Sequence, residues 1–412
     1  MSISIQDLIF DWNRPSAGEE AGRRVELDDE TLRDGLQSPS AHHPSLAGKI
    51  QLLHLMAELG IGAVDVGLPG AGFRAAADVE ALCREIAGAR LPIAPNCAAR
   101  TTLEDIAPAL EIMERVGFPV EIMLFLGSSP IRCRVEGWPV EELLRRVELC
   151  VTYAVARGAA VTFVTEDTSR SRPGDLRRLF STAVRAGAGR VCLADTAGHA
   201  TPAGAARLVE FAREVVVEAG GPEIGIDWHG HNDRGLAVAN ALAAAAAGAS
   251  RLHGTLLGVG ERVGNPPMEQ LLVNLRMLGW GQPRLERLMD YVRLGSELLG
   301  IGIPPGAPVV GRDAFRTSTG VHAAALVKAA SKGDAELVDL VYSTIPASWM
   351  GREQVIDVGP MSGGSNVRHW LLAHGYECET EVVERLFAAA KLADGTLSDE
   401  ELHALVRSKA AR

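Results

Sequence analysis

Short apolar runs alternate with longer amphipathic stretches between residues 25 and 255. The runs at 25–27, 63–66, 92–94, 120–125, 161–165, 190–194, 224–228 and 251–255 predict eight strands. Between them apolar residues recur at spacings of three and four, as over 47–59, 76–86 and 140–157, and predict helices. Strands that alternate with helices pair in parallel through right-handed crossovers. Eight such units over about 250 residues fit an α/β fold of the (β/α)8 TIM-barrel type better than an open doubly wound sheet. A Rossmann sheet would carry GxGxxG after its first strand, where this chain has Asp34-Gly35-Leu36-Gln37-Ser38-Pro39-Ser40.

After about residue 285 the alternation stops. Helical patterns follow at 287–299, 321–330, 336–341, 379–392 and 399–409, separated by Pro- and Gly-rich joints at 302–308 and 359–364. The expected organisation is an N-terminal extension (1–23), a barrel (24–285) and a smaller, mainly helical C-terminal appendage (286–412). The alanine-rich stretch near 243–247 reads as a barrel helix packed tightly against its strand.

Composition narrows the function. With 47% hydrophobic and 23% charged residues the chain of 412 is globular, and a net charge of -11 argues against general nucleic-acid binding. The longest apolar stretch, 241–249, falls well short of the ~20 residues of a membrane span. No basic region precedes an apolar core at the amino terminus, so no secretory signal is expected. Six cysteines without a CxxC pair read as thiols of a reducing compartment, and the cytoplasm is the expected location.

Barrel chemistry gathers where strands end and the following loops begin. Polar residues recur there: Arg33 and Asp34 after strand 1, Asp65 on strand 2, Asn96 after strand 3, Glu166 and Asp167 after strand 5, Asp195 and Thr196 after strand 6, and His229 and His231 after strand 7. His229 and His231 are two apart, so on a strand they face one side and converge on one ion. A bare HxH is as often one core and one solvated histidine. Here strands 1 and 7 share an inward layer, which brings Asp34 to the pair, and the loop after strand 8 offers Asn265. Nitrogen and oxygen ligands without thiolate suit a divalent Zn, Mn, Mg, Co or Fe ion. Arg33 beside that ion would stabilise negative oxygen on a bound carbonyl. Glu166 and Thr196 can offer proton transfer or a hydrogen bond.

The segments Asp29-Glu30-Thr31-Leu32-Arg33-Asp34-Gly35-Leu36-Gln37, His229-Gly230-His231-Asn232-Asp233 and Gly258-Val259-Gly260-Glu261-Arg262-Val263-Gly264-Asn265 together resemble the metal-dependent acyl-CoA condensing barrels. That group comprises 2-isopropylmalate, homocitrate and citramalate synthases, with hydroxymethylglutaryl-CoA lyase as a cousin. Phe125-Leu126-Gly127-Ser128-Ser129-Pro130-Ile131 is closest to the isopropylmalate branch, and 310–322 resembles the segment after the barrel that the lyase lacks.

The resemblance implies that a 2-oxo acid chelates a divalent metal held by Asp34, His229, His231 and Asn265. Arg33, Gln37, Asp65, Ser129, Arg132 and Thr196 would contact the substrate. Arg33, Glu166, His322 and Tyr342 would be catalytic, the last two assisting activation of the co-substrate acetyl-CoA. It also implies a homodimer in which the appendage lies over the partner barrel.

Four features depart from the family pattern. Asp65 stands where Glu is usual. Val164 replaces a common Ser, and Thr162 stands where homocitrate synthases place a substrate-reading Arg. Arg132 replaces a His. The chain also stops at Arg412, without the regulatory domain of feedback-inhibited isopropylmalate synthases, so no inhibition by leucine is expected. Thr162 speaks against 2-oxoglutarate and Val164 favours an apolar substrate such as 2-oxoisovalerate, whereas an inward Arg132 would pull the other way. The expected activity is therefore of the 2-isopropylmalate synthase type. Another 2-oxo acid, a lyase, or a non-catalytic paralogue that regulates a partner are the competing readings.

Overall fold

The computed structural model describes residues 8–13 and 23–408. Arg23 to Gly302 form one compact unit, and the described residues from Ile303 onward belong to another.

The first unit is a closed barrel of eight parallel strands in sequential order: β1 Glu26–Asp29, β2 Ala63–Asp65, β3 Ala94–Arg100, β4 Glu121–Gly127, β5 Val161–Glu166, β6 Arg190–Asp195, β7 Gly225–Gly230 and β8 Arg251–Gly254. β8 closes on β1 in the register Glu26–Arg251 through Asp29–Gly254. Around it run helices α1 Leu46–Leu59, α2 Phe73–Ala89, α3 Leu103–Val116, α4 Pro130–Glu136, α5 Val140–Ala156, α6 Pro173–Arg185, α7 Pro202–Gly220, α8 Ala237–Ala247, α9 Met268–Leu278 and α10 Leu288–Leu299. The TIM-barrel expectation is met.

Local sequence explains the elements. In α5 the buried residues Leu143, Val147, Cys150, Val151 and Ala154 follow a three-and-four spacing, and Glu141 and Glu142 favour its amino-terminal turn. Ser45, Thr102 and Thr201 cap α1, α3 and α7 through their hydroxyl groups. The alanine run forms α8, whose small side chains allow close packing on α7 and β7.

Two boundaries differ from the sequence reading. β3 was expected at 92–94 but runs Ala94–Arg100, through small residues that lack a strand-like pattern. The helix expected at the start of the appendage is α10, and it belongs to the barrel unit, which moves the division from 285 to 302. It buries Leu288, Met289, Tyr291, Val292 and Leu299. Gly295 lies so close to Leu256 that no side chain fits between them. Tyr291 also donates a hydrogen bond to Asp29 on β1 (2.5 Å).

The second unit holds α11 Gly320–Ala330, α12 Ala335–Leu340, α13 Gly364–Ala373, α14 Thr380–Leu392 and α15 Asp399–Arg407. To the expected helices the structure adds a short parallel pair, β9 Arg316–Thr317 with β10 Val355–Ile356. One apolar cluster centres on Val367, Trp370, Leu371 and Leu386, and another on Ala323, Leu326 and Ile356. Among the described residues no helix is long and apolar enough to cross a membrane. The proposed N-terminal extension lies largely outside the described residues.

Candidate active site

The carboxyl ends of the strands surround a cavity of about 290 Å³. Chain direction sets its contents. β1 ends at Asp29, and the turn that follows is tied down where Thr31 accepts a hydrogen bond from the Leu256 amide (2.8 Å). That turn delivers Arg33 and the buried Asp34 to the barrel mouth. β7 delivers His229 near its end and His231 just past it. The loop after β8 folds back through Gly264, which has a φ of 86° and leaves no room for a side chain beside the Gly258 carbonyl. Asn265 then reaches Asp34 with its Nδ2 at 2.9 Å.

These elements bring the expected metal residues together. His229 Nε2 and His231 Nε2 lie 3.4 Å apart, and each faces Asp34 Oδ2, at 3.5 and 3.6 Å. Ligands at about 2.1 Å from one tetrahedral ion stand roughly 3.4 Å from one another, so the three atoms suit a common divalent ion. All three residues are buried. Burial, reinforced by neighbouring His229, pushes the His231 imidazole down to about 4, so at neutral pH it is uncharged, the form a metal would require. Asn265 turns Nδ2 rather than Oδ1 toward Asp34, and its buried Oδ1 has no partner. A half-turn of the amide would present the oxygen in place of the nitrogen. The donor set fits a hard or borderline divalent ion and offers no thiolate.

Arg33 is fixed from two sides. Its Nε donates to Asp65 Oδ2 and its Nη2 to Glu30 Oε1, both at 2.7 Å, while Nη1 lies 3.9 Å from Asp34 Oδ1. Burial alone would weaken its charge, but Glu30, Asp65 and Asp34 hold the guanidinium well above its usual range. Asp65, expected to contact substrate, lines the cavity and is buried, with one oxygen on Arg33 and the other accepting from the Gly67 amide (3.1 Å). Burial pushes its carboxyl up to about 6 in spite of Arg33.

Gln37, Glu166 and Thr196 line the cavity. Burial raises the Glu166 carboxyl. Thr196 Oγ1 accepts from the Asp167 amide (2.9 Å). Ser129 and Arg132 are not among the lining residues. Ser129 caps α4, and Arg132 pairs with Glu136 at 2.9 Å and Glu166 at 3.4 Å. Asp195 likewise serves the loop, accepting from Ser169 and from the His199 amide. Part of the wall is apolar: Leu68, Ala98, Met123, Phe125, Val164 and Ala194. In the second unit His322 and Tyr342 are both exposed and stack with ring centroids 3.9 Å apart.

Three acidic or histidine residues of the lining were not singled out in the sequence: Glu30, His253 and Glu261. Glu30 lies inside the Asp29–Gln37 motif, and the alternation Arg251-Leu252-His253 would have placed both polar side chains inward. Burial alone would lower His253. Glu30, Asp227 and Asp28 overcome it and raise the imidazole to about 10.

Fold and site together define a TIM barrel with a candidate divalent-metal centre at the carboxyl ends of its strands. The HMGL-like family matches residues 24–294, and the chain belongs to that family. It is 33% identical over 404 residues to homocitrate synthase AksA of Methanopyrus kandleri, covering 94% of this chain and 95% of that protein. It is 32% identical to a 2-isopropylmalate synthase of Solidesulfovibrio magneticus, covering 94% and 74%. Among solved structures, the hydroxymethylglutaryl-CoA lyase of Pseudomonas aeruginosa shares the fold with a TM-score of 0.57 and 21% identity, over 69% of this chain and 95% of that one.

Proposed function

We propose that this chain condenses acetyl-CoA with a 2-oxo acid bearing a short apolar side chain, 2-oxoisovalerate, to give 2-isopropylmalate and CoA. The observation that carries this reading is the meeting of Arg33 with Asp34, His229 and His231 in a cavity that also presents the apolar side chains of Leu68, Met123, Phe125 and Val164 to a substrate. Relationship to synthases over 94% of the chain supports it.

Asp34, His229 and His231, joined by Asn265, would hold the divalent ion, which supplies Lewis acidity to a bound keto oxygen. Arg33, locked by Asp65 and Glu30, stabilises that oxygen as negative charge develops on it. Gln37 and Thr196 orient the substrate. Glu166, whose burial raises its affinity for a proton, exchanges one with substrate oxygen. His322 and Tyr342 assist loss of the methyl proton from acetyl-CoA in a homodimer, the role that the resemblance implies. Attack of the resulting carbanion on the keto carbon forms the new carbon–carbon bond, and water then cleaves the thioester to release CoA. All six cysteines are free, which suits the reducing cytoplasm to which we assign the enzyme.

A second reading, condensation onto 2-oxoglutarate, is favoured by the 95% coverage of the homocitrate synthase relative. Against it, Arg33 is the one arginine or lysine lining the cavity among the described residues, and the cationic His253 is already held by Glu30 and Asp227, so a distal carboxylate would lack an uncommitted cationic partner. Thr162 is buried beside Glu121 and Arg251 and is not among the lining residues. The test is kcat/KM for CoA release across a panel of 2-oxo acids. Preference for 2-oxoisovalerate by more than about 10-fold is expected, whereas preference for 2-oxoglutarate would contradict the assignment.

A further inference from the structure

We propose that Glu30 is a positioning residue that couples the ion-facing histidine to the catalytic arginine, and this rests on the metal centre proposed above. Glu30 follows β1 and is 1% exposed. Its Oε1 accepts from Arg33 Nη2 at 2.7 Å and meets His253 Nδ1 at 2.9 Å, while its Oε2 lies 2.7 Å from His229 Nδ1. One carboxylate thus meets Arg33 and two imidazoles.

Neutralising the neighbouring cations does not by itself account for Glu30. Arg33 already has Asp65 on its Nε at 2.7 Å. His253 already faces Asp227 at 3.3 Å and Asp28 at 3.8 Å through its Nε2. Removing Glu30 would leave both with a carboxylate partner. His229 differs, because among the described residues Glu30 is the partner its Nδ1 meets. A carboxylate there keeps the proton on Nδ1, leaves the Nε2 lone pair facing the ion, and fixes the plane of the ring.

His231 provides the internal contrast. Its Nδ1 is buried and has no hydrogen-bond partner. The two imidazoles offered to one ion are therefore held differently: with the ion bound, His229 would be fixed at both ring nitrogens, and His231 by its backbone and the ion alone. Because the same carboxylate also grips Arg33, a shift of Glu30 displaces the ligand and the guanidinium together. Asp65, which grips Arg33 without touching either histidine, has no such effect on the ligand.

The experiment compares metal-stripped parent with Glu30→Gln, which keeps the shape but removes the charge, and Glu30→Asp, which keeps the charge but withdraws it by one methylene. Each is titrated with Co(II) alone, followed by its visible absorption bands, with folding checked by circular dichroism. Glu85→Gln, which alters a half-exposed carboxylate paired with His54 at 2.7 Å, is the control. The Co(II) dissociation constant is expected to rise about 10–100-fold in the Glu30 variants, with a shifted absorption spectrum, and to stay unchanged in Glu85→Gln. In the loaded enzyme kcat should fall while KM for acetyl-CoA stays within about twofold. A folded Glu30 variant of either kind with the parent's Co(II) affinity and spectrum would overturn the assignment while leaving the metal centre intact. A parent that binds no Co(II) would overturn the metal centre, and this assignment with it.

Discussion

The barrel interior carries buried charge at two depths, and the two layers are built differently. In the layer away from the cavity, Arg251 donates to both Asp227 and Glu121, at 2.6 to 3.0 Å, and Arg190 donates to Asp227 and Ser250. Burial opposes the Asp227 charge, but Arg251 and Arg190 hold its carboxyl far below the ordinary range. In the layer at the cavity, His229, His231 and Asp34 turn ligand atoms toward one another rather than toward partners that neutralise them. Both layers are expensive to desolvate. The first offsets that cost within itself and is structural. The second is left open toward a common point, which is the mark of a binding centre.

The contrast predicts which substitutions harm turnover and which harm folding. Replacing His231 by Ala removes a proposed metal ligand and relieves a buried polar atom. Turnover should fall on the order of 10³-fold or more, matching the effect of chelator, while thermal stability without metal stays within about 2 °C. Steady-state rates and a melting curve together check this.

Arg251→Met acts on the other layer. It leaves Asp227 and Glu121 without their shared cation and should cost about 3–5 kcal/mol in denaturant unfolding. The rate per folded molecule should remain near that of the parent. A stable Arg251→Met protein, or a folded but inactive one, would erase the distinction between the layers.

Arg33→Ala belongs to the cavity layer and should lower kcat about 10²–10³-fold, with metal content retained. Loss of the metal instead would make Arg33 a structural element of the centre.

Glu269 sharpens the comparison as a lone buried carboxylate. It accepts from the Leu257 amide (3.0 Å), and burial pushes it up to about 7 from an ordinary 4.5. The folded state therefore holds this proton more tightly than the unfolded one. Its favourable contribution is complete below pH 4.5 and is lost as pH rises through 7, a change of roughly 3 kcal/mol. Unfolding free energies at pH 5 and pH 8 should differ less in Glu269→Gln than in the parent.

Much of this was legible beforehand because barrel strands and their helices keep distinct periods. The eight strands, the converging histidines and Asp34 follow from spacing and chain order. Four things were not. The direction of Arg132 depends on how one side chain lies across Gly127, where a Cβ would collide with it, and no pattern encodes that. The resemblance implied a substrate contact for Asp65, and its pairing with Arg33 at 2.7 Å depends on two side chains that only the closed barrel brings together. Glu30 and His253 escaped notice because inward charges read as packing until their partners from β1, β7 and β8 are known. The small residues of β3 are strand-like only because the barrel buries both faces, so its extent was also hidden.

The most direct test of the central claim is CoA release from acetyl-CoA and 2-oxoisovalerate by chelator-treated enzyme before and after a divalent metal is restored. The account predicts release that is negligible after chelation, recovers with metal in the parent, and does not recover in His231→Ala. Undiminished release after complete metal removal, or full recovery in His231→Ala, would contradict it.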